Sequence, residues 1–257
     1  MKEIIEQQLA CLEKELDIKV LYAVESGSRA WGFASQDSDW DVRFIYIHNS
    51  DWYLSIDEKK DSIERMLPDN LDLSGWELRK ALKLFRKSNP PLLEWLNSPI
   101  VYLEKPVIIE KLRGLLTKFY NPKACLYHYF HMAEGNFKEF LQRDLVRVKK
   151  YFYVLRPVLA CEWIEKNDST PPVEFEKLVS AHVQDDVVKQ EIKTLLERKM
   201  SAEELAVEPK NKLLNDFLEE RLNYYRALLK TFPEHKPAKT DKLDAFFRTA
   251  IDAFFSM

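Results

Sequence analysis

Between Val24 and Ile47 the chain reads VESGSRAWGFASQDSDWDVRFIYI. An apolar, β-branched run, Ile18 to Val24, leads into Glu25-Ser26-Gly27-Ser28; ten residues follow, and Asp39-Trp40-Asp41 then opens a second run that continues to Ile47. In an extended chain, residues two apart share a face with Cα atoms about 6.6 Å apart, so Asp39 and Asp41 aim two carboxylates at one place. Two acids so arranged repel each other unless a cation lies between them, and hard oxygen ligands suit Mg²⁺ or Mn²⁺. Gly27 and Ser28, between a strand and a helix, offer closely approachable backbone amides at a helix N-terminus, a geometry that cradles phosphate. A metal pair beside a phosphate cradle is the apparatus of phosphoryl or nucleotidyl transfer. Taken alone, the Asp-x-Asp reads more readily as loop and capping residues, because such a pair occurs by chance in many proteins. The order strand, Gly-Ser, ten residues, Asp-x-Asp, strand is what gives it meaning.

That order resembles the signature G[GS], a spacer, then D-h-[DE]-h with h apolar, which marks the DNA polymerase β-like nucleotidyltransferase superfamily. Gly27-Ser28 and Asp39-Trp40-Asp41-Val42 supply its two halves. The longer string GSRAWGFASQDSDWDVRFIYIH, with LDLSGWELRKALKLF, NPPLLEWLNSP and KKYFYVLRP, is similar more narrowly to the predicted nucleotidyltransferases of the YcgL/RlaP group, which has an association with RNA repair. The similarity covers roughly residues 20–165. It implies an α+β fold, a small mixed-sheet nucleotidyltransferase core followed by a helical domain. It also implies transfer of a nucleoside monophosphate from a nucleoside triphosphate such as ATP to a hydroxyl, an RNA end among the possible acceptors, with release of pyrophosphate. The superfamily places a third carboxylate on a neighbouring strand, to complete the metal site and to serve or orient the general base. Asp72, flanked by Leu71 and Leu73, is the best candidate; Asp61 and Asp69 compete from more turn-like contexts.

Further residues surround this motif. Arg43 shares the strand face of Asp39 and Asp41 and either meets a phosphate or pairs with Asp41. Arg29 follows the phosphate turn and is a candidate triphosphate contact. Lys149, Tyr153 and Arg156 are spaced i, i+4, i+7 on an expected helix, a possible phosphate clamp with a base-stacking ring. His128 and His131 lack a third metal ligand at suitable spacing, and their aromatic neighbours point to packing.

The elements that must hold these residues are legible in outline. Ile4, Ile5, Leu9, Leu12 and Leu16 recur at helical spacing over 3–16. Strands are expected at 18–24 and 41–47, with weaker ones at 62–67 and 70–73. Ser74 with Glu77 three residues on predicts a capping box that opens a helix to about residue 87. SNPPLLEWLNSPIVYLEKP reads as a packed connection around one short helix. Helical period then dominates, over roughly 106–119, 122–142, 143–166, 173–183, 185–199, 209–231 and 240–255. We therefore expect a catalytic core at 1–103 and a helical domain at 104–257.

Composition narrows the class. Only 5 of the 257 residues are Gly, about 2% against a usual ~7%, which disfavours an all-β sandwich and favours long helices. Net charge is -3 but unevenly spread: residues 1–75 carry 8 Lys+Arg against 16 Asp+Glu, and residues 76–156 carry 16 against 7. An acidic block beside a basic one fits a metal-and-phosphate site. No apolar run reaches the ~18 residues that span a bilayer, and three scattered cysteines suit a reducing compartment, so a cytoplasmic protein without a membrane partner is expected. Two other classes compete: a catalytically idle nucleotide- or RNA-binding module, and a folded interaction protein whose acidic turn binds nothing.

Overall fold

The computed structural model describes residues 1–201, 207–236 and 238–255. In chain order the elements are α1 (Lys2–Leu16), β1 (Ile18–Glu25), α2 (Gly27–Ala30), β2 (Trp40–His48), α3 (Ser50–Tyr53), β3 (Ser62–Leu67), β4 (Leu71–Glu77), α4 (Leu78–Arg86), α5 (Pro90–Leu96), β5 (Val101–Glu104), α6 (Pro106–Gly114) and α7 (Leu116–Phe119). There follow α8 (Pro122–Asn136), a π-helical turn (Phe137–Leu141), β6 (Leu145–Arg147), α9 (Val148–Asn167), α10 (Phe175–His182), α11 (Asp186–Met200), β7 (Val207–Pro209), α12 (Lys212–Leu228) and α13 (Asp241–Phe255). They form two units. One holds Met1–Gly27, Asp39–Tyr120 and the C-terminal helix; the other holds Ser28–Ser38 and the helices that follow Asn121.

The first unit is a five-stranded mixed sheet of order β3-β4-β2-β1-β5, in which β2 and β4 run parallel and the other neighbours antiparallel. Period-two alternation decides what each face carries. Val42, Phe44 and Tyr46 of β2 join Val20, Leu71 and Leu73 in a core covered by Ile5, Leu9 and Leu12 of α1. Ile45 and Ile47 look the other way, into a core shared with Leu78, Leu82 and Phe85 of α4, Trp95 of α5, Ile108 and Leu112 of α6, and Phe246 of α13. Asp41 and Arg43 precede Ile45 on that second face, so burial of Ile45 and Ile47 fixes the side on which the polar end of β2 opens.

Three local expectations are corrected. Ser74 is not a cap: β4 continues to Glu77, pairing Ser74 with Arg43 on β2 and with Glu64 on β3. Two ladders outweigh one capping bond, and Glu77 itself caps α4, accepting the Arg79 and Lys80 N–H groups at 2.7 and 3.2 Å. Gly75 is required there, because a Cβ would come within 2.3 Å of the Phe44 ring. The Pro-rich connection contains a strand as well as a helix: Asn89 caps α5, Pro90 sits in its first turn, and β5 then pairs with β1. The segment 143–166 begins with a strand, β6, before α9 starts.

In the second unit α9 is central and packs on α8, α10, α11 and α12. Pro157 lies inside α9 and cannot donate to the Tyr153 carbonyl. The Asn136 amide donates to that carbonyl instead, at 3.4 Å. Deeper in, His182 of α10 is 4% exposed against the edge of the Trp163 ring, and neither ring nitrogen has a hydrogen-bond partner. Burial lowers its pKa; Glu162 opposes this while Lys166 and Arg221 reinforce it. A folded pKa below the unfolded value of 6.5 means stability is complete above that pH and is lost as pH falls through and below it. His48, pushed down to about 4 chiefly by burial, adds a loss of the same sign. The wild-type protein should therefore lose melting temperature between pH 7 and pH 5, and His182→Phe should lose less over the same interval. Equal slopes in thermal melts would show that His182 does not titrate on unfolding.

Candidate functional site

β2 and β4 run side by side in parallel, with Asp41 directly across from Asp72. Residues paired in this way share a face. The Arg43 guanidinium lies between the two carboxylates: Nη2 donates to Asp41 Oδ1 at 2.8 Å and to Asp72 Oδ2 at 2.9 Å, and Nη1 to the Val42 and Asp72 carbonyls, each at 3.2 Å. All three side chains are partly buried, so this ion-paired triad is screened less than a surface pair. Its charges do not balance, however. Burial raises the Asp41 pKa, and although Arg43 pulls it down, Asp72 and Asp39 push it up. Asp41 thus stands in the field of two further acids and one cation.

The turn after β1 closes over Asp41. Gly27 has φ +60°, and a Cβ there would fall 2.2 Å from Asp41 Oδ2. Glycine is required on two counts, left-handed backbone and the space the carboxylate takes. The Ser26 N–H donates to the Asp41 carbonyl at 2.8 Å. The Asp41 N–H donates to Glu25 Oε1 at 2.8 Å. Glu25 is fully buried; its Oε2 accepts the Tyr102 hydroxyl, its carbonyl accepts the Ser98 hydroxyl at 2.6 Å, and its N–H donates to the Ile100 carbonyl. A buried carboxylate thus grips the backbone of Asp41 from below. Reading the sequence for chemistry missed Glu25, although a lone acid at the end of an apolar strand, two residues before Gly27, is a visible signal.

The other expected residues are placed as follows. Asp39 sits at the head of β2, within electrostatic reach of Asp41. Asp69 and Asn70 take the left-handed conformation in the β3–β4 turn, while Asp61 pairs with Lys80 at 2.8 Å near the opposite end of β4. Gly27 and Ser28 open α2, a single turn. Arg29 donates to the Ser38 carbonyl at 2.7 Å and so closes the spacer 28–38 on itself. That spacer is fastened within the helical unit: Phe33 packs on Phe152 and Phe175, the Phe175 N–H donates to the Trp31 carbonyl, and Lys199 reaches the Ser38 hydroxyl. On α9, Lys149 is partly buried and Tyr153 is 37% exposed, whereas Arg156 is 5% exposed with its guanidinium 4.6 Å from the centre of the Trp31 ring. The three therefore do not present one open face: the seventh position of the spacing turns into the packed side of α9. His131 packs against the Tyr127 and Phe130 rings.

Among the described residues, no three His, Cys, Asp or Glu side chains are gathered closely enough to form a metal-binding group. Arg43 holds the positive charge between Asp41 and Asp72. The donor chemistry still suits a hard divalent cation, since carboxylate oxygens supply the set and Asp41 is crowded by like charge.

The chain belongs to the RlaP family, described as the RNA repair pathway DNA polymerase beta family, whose model matches residues 1–249. It is 48% identical over 252 residues to the uncharacterized protein YcgL of Bacillus subtilis (strain 168), covering 98% of this chain and 97% of that one. A crystal structure of a nucleotidyltransferase-like protein from Exiguobacterium sibiricum 255-15 is 14% identical and covers 88% of this chain and 75% of its own, with a TM-score of 0.34. No helix among the described residues is long and apolar enough to cross a membrane.

Two outcomes follow from this geometry. Asp41→Asn keeps an acceptor for Arg43 and removes the charge that burial and two acids disfavour. It should raise the melting temperature by about 2–4 °C, the shift that roughly 1 kcal/mol produces in a domain of this size. A fall would show that the Asp41 charge is held favourably. Glu25→Ala should lower the melting temperature, because burying the Asp41 N–H without a partner costs about 1–3 kcal/mol. An unchanged melting curve would mean that Glu25 does not support Asp41.

Proposed function

We propose that the protein is a nucleotidyltransferase that moves a nucleoside monophosphate from a nucleoside triphosphate to a hydroxyl and releases pyrophosphate. One observation carries this reading: Asp41 and Asp72, in register on neighbouring parallel strands, face each other beside a glycine turn that has room for no side chain. Membership of the RlaP family supports it.

In the reaction, the acceptor hydroxyl attacks the α-phosphorus, a P–O bond forms, and the bond from the α-phosphorus to the bridging oxygen breaks. Its electrons leave with pyrophosphate. The hydroxyl proton passes to a carboxylate, which we assign to Asp72. The Gly27-Ser28 turn offers backbone N–H groups to the triphosphate, with Arg29 beside it. Arg43 keeps Asp41 and Asp72 aligned before substrate arrives, so alignment is built in rather than acquired. Asp39, Asp41 and Asp72 would hold Mg²⁺ or Mn²⁺, which would supply charge neutralisation for the attacking and leaving oxygens. We assign the acceptor to the end of an RNA strand, on the strength of the family description, and the donor to ATP. We place the reaction in the cytoplasm.

The test is release of pyrophosphate from each of the four ribonucleoside triphosphates with a short RNA, with and without Mg²⁺ or Mn²⁺. Divalent-dependent release is expected, reduced at least about 100-fold by Asp41→Asn or Asp72→Asn with the fold intact. Gly27→Ala should be as inactive as Asp41→Asn, since its Cβ displaces the carboxylate. Nucleotide binding without turnover in the wild type would leave a binding module; neither binding nor turnover would remove the proposal.

A further inference from the structure

Helix α4 carries its apolar residues Leu78, Ala81, Leu82 and Phe85 inward, all buried. The stretch Leu78–Ser88 contains five cations, Arg79, Lys80, Lys83, Arg86 and Lys87, and no acid. Lys80 is committed to Asp61. Arg79, Lys83, Arg86 and Lys87 are exposed and form no ion pair among the described residues. Arg79, Lys83 and Arg86 follow one another at i, i+4, i+7, a row about 10 Å long at 1.5 Å per residue.

The row borders a groove of about 260 Å³ lined by Arg79, Leu82, Lys83, Arg86, Leu243 and Phe247, with Thr240 and Asp244. Asp244 is the one acid in that lining. The Arg79 guanidinium lies 4.8 Å from the centre of the Tyr53 ring and 5.7 Å from that of Phe247, which holds it in place, and it interacts electrostatically with Glu77 without forming an ion pair among the described residues. The longer helices α1, α6 and α13 of this unit mix their cations with acids; α1, for instance, pairs Lys2 with Glu6. A helix stretch with five cations and no acid of its own carries a cost in self-repulsion, only partly offset by Asp61, Glu77 and Asp244 beside it, that a polyanion would relieve.

We propose that the outer face of α4, with the groove along α13, is a docking surface for the phosphate backbone of single-stranded RNA. The row presents three exposed cations along one edge of α4, to which the phosphates of a single strand can pair. The groove beside it has the apolar floor and aromatic side that a base needs. A flat lipid surface fits less well, because α4 exposes no apolar residue to insert. The choice of RNA rests on the proposed function; the surface itself does not.

The experiment measures binding rather than turnover, using fluorescence anisotropy of a labelled single-stranded RNA of about 20 nucleotides over a range of salt. Lys83→Ala/Arg86→Ala should bind about tenfold more weakly, with the salt slope reduced by about 1.4, two phosphate contacts at ~0.7 each. Lys14→Ala/Lys19→Ala removes two exposed cations elsewhere in the same unit and should change neither. Asp41→Asn should retain wild-type RNA affinity, which separates this surface from the chemistry. Equal weakening by both double variants, an unchanged slope in Lys83→Ala/Arg86→Ala, or binding to phosphatidylserine vesicles or poly-glutamate that RNA does not displace would each overturn the proposal. Absence of RNA binding by the wild type would overturn it too, while leaving pyrophosphate release to judge the reaction.

Discussion

One guanidinium between two carboxylates organises the acidic end of the sheet. Arg43 reaches Asp41 on its own strand and Asp72 on the next, and its other nitrogen bonds the carbonyls of both strands. Two partly buried acids in register would otherwise force the strands apart or take up a proton. The parallel β2–β4 pairing, the shared face and the bridging cation therefore form one arrangement. Its residual tension is visible in the raised pKa of Asp41. A site that holds excess negative charge in place is suited to receive positive charge with its substrate.

The surrounding structure makes that arrangement rigid. Glu25 fixes the Asp41 backbone from the buried side, and Tyr102 and Ser98 fix Glu25 from β5 and the loop before it. Gly27 leaves free the space that the Asp41 carboxylate occupies on that side. The strand β5 thus contributes to the site without bearing a reactive group. Within the helical unit, Phe33 and Trp31 seat the spacer 28–38.

Much of this was legible in the residues. The α+β class, the strands around Gly27-Ser28 and Asp39-Trp40-Asp41, and the helical second half follow from periodicity and from turn chemistry. The resemblance asks for a third carboxylate, and its apolar neighbours favour Asp72 over Asp61 and Asp69; β4 pairs Asp72 with Asp41. What escaped the sequence was long-range. Ser74 and Glu77 satisfy the local rule for a capping box, yet two flanking strands claim Ser74 and move the helix start to Leu78. β5 is short and Pro-flanked, and only its pairing with β1 makes it a strand. Arg156 has the right spacing on α9 for an open cationic face, but α9 is buried around most of its circumference, and Trp31 from a distant segment takes the guanidinium. Glu25 needed Tyr102 and Ser98, more than seventy positions along the chain, to show its role.

The central claim is that Asp41 and Asp72 act as one site. It is tested most directly by titrating Mn²⁺, followed by its paramagnetic resonance, into the protein with a non-hydrolysable nucleoside triphosphate. The account predicts bound Mn²⁺ in the wild type and in Asp61→Asn and Asp69→Asn, and its loss in both Asp41→Asn and Asp72→Asn. Wild-type Mn²⁺ binding by Asp72→Asn, with loss in Asp61→Asn or Asp69→Asn, would contradict it.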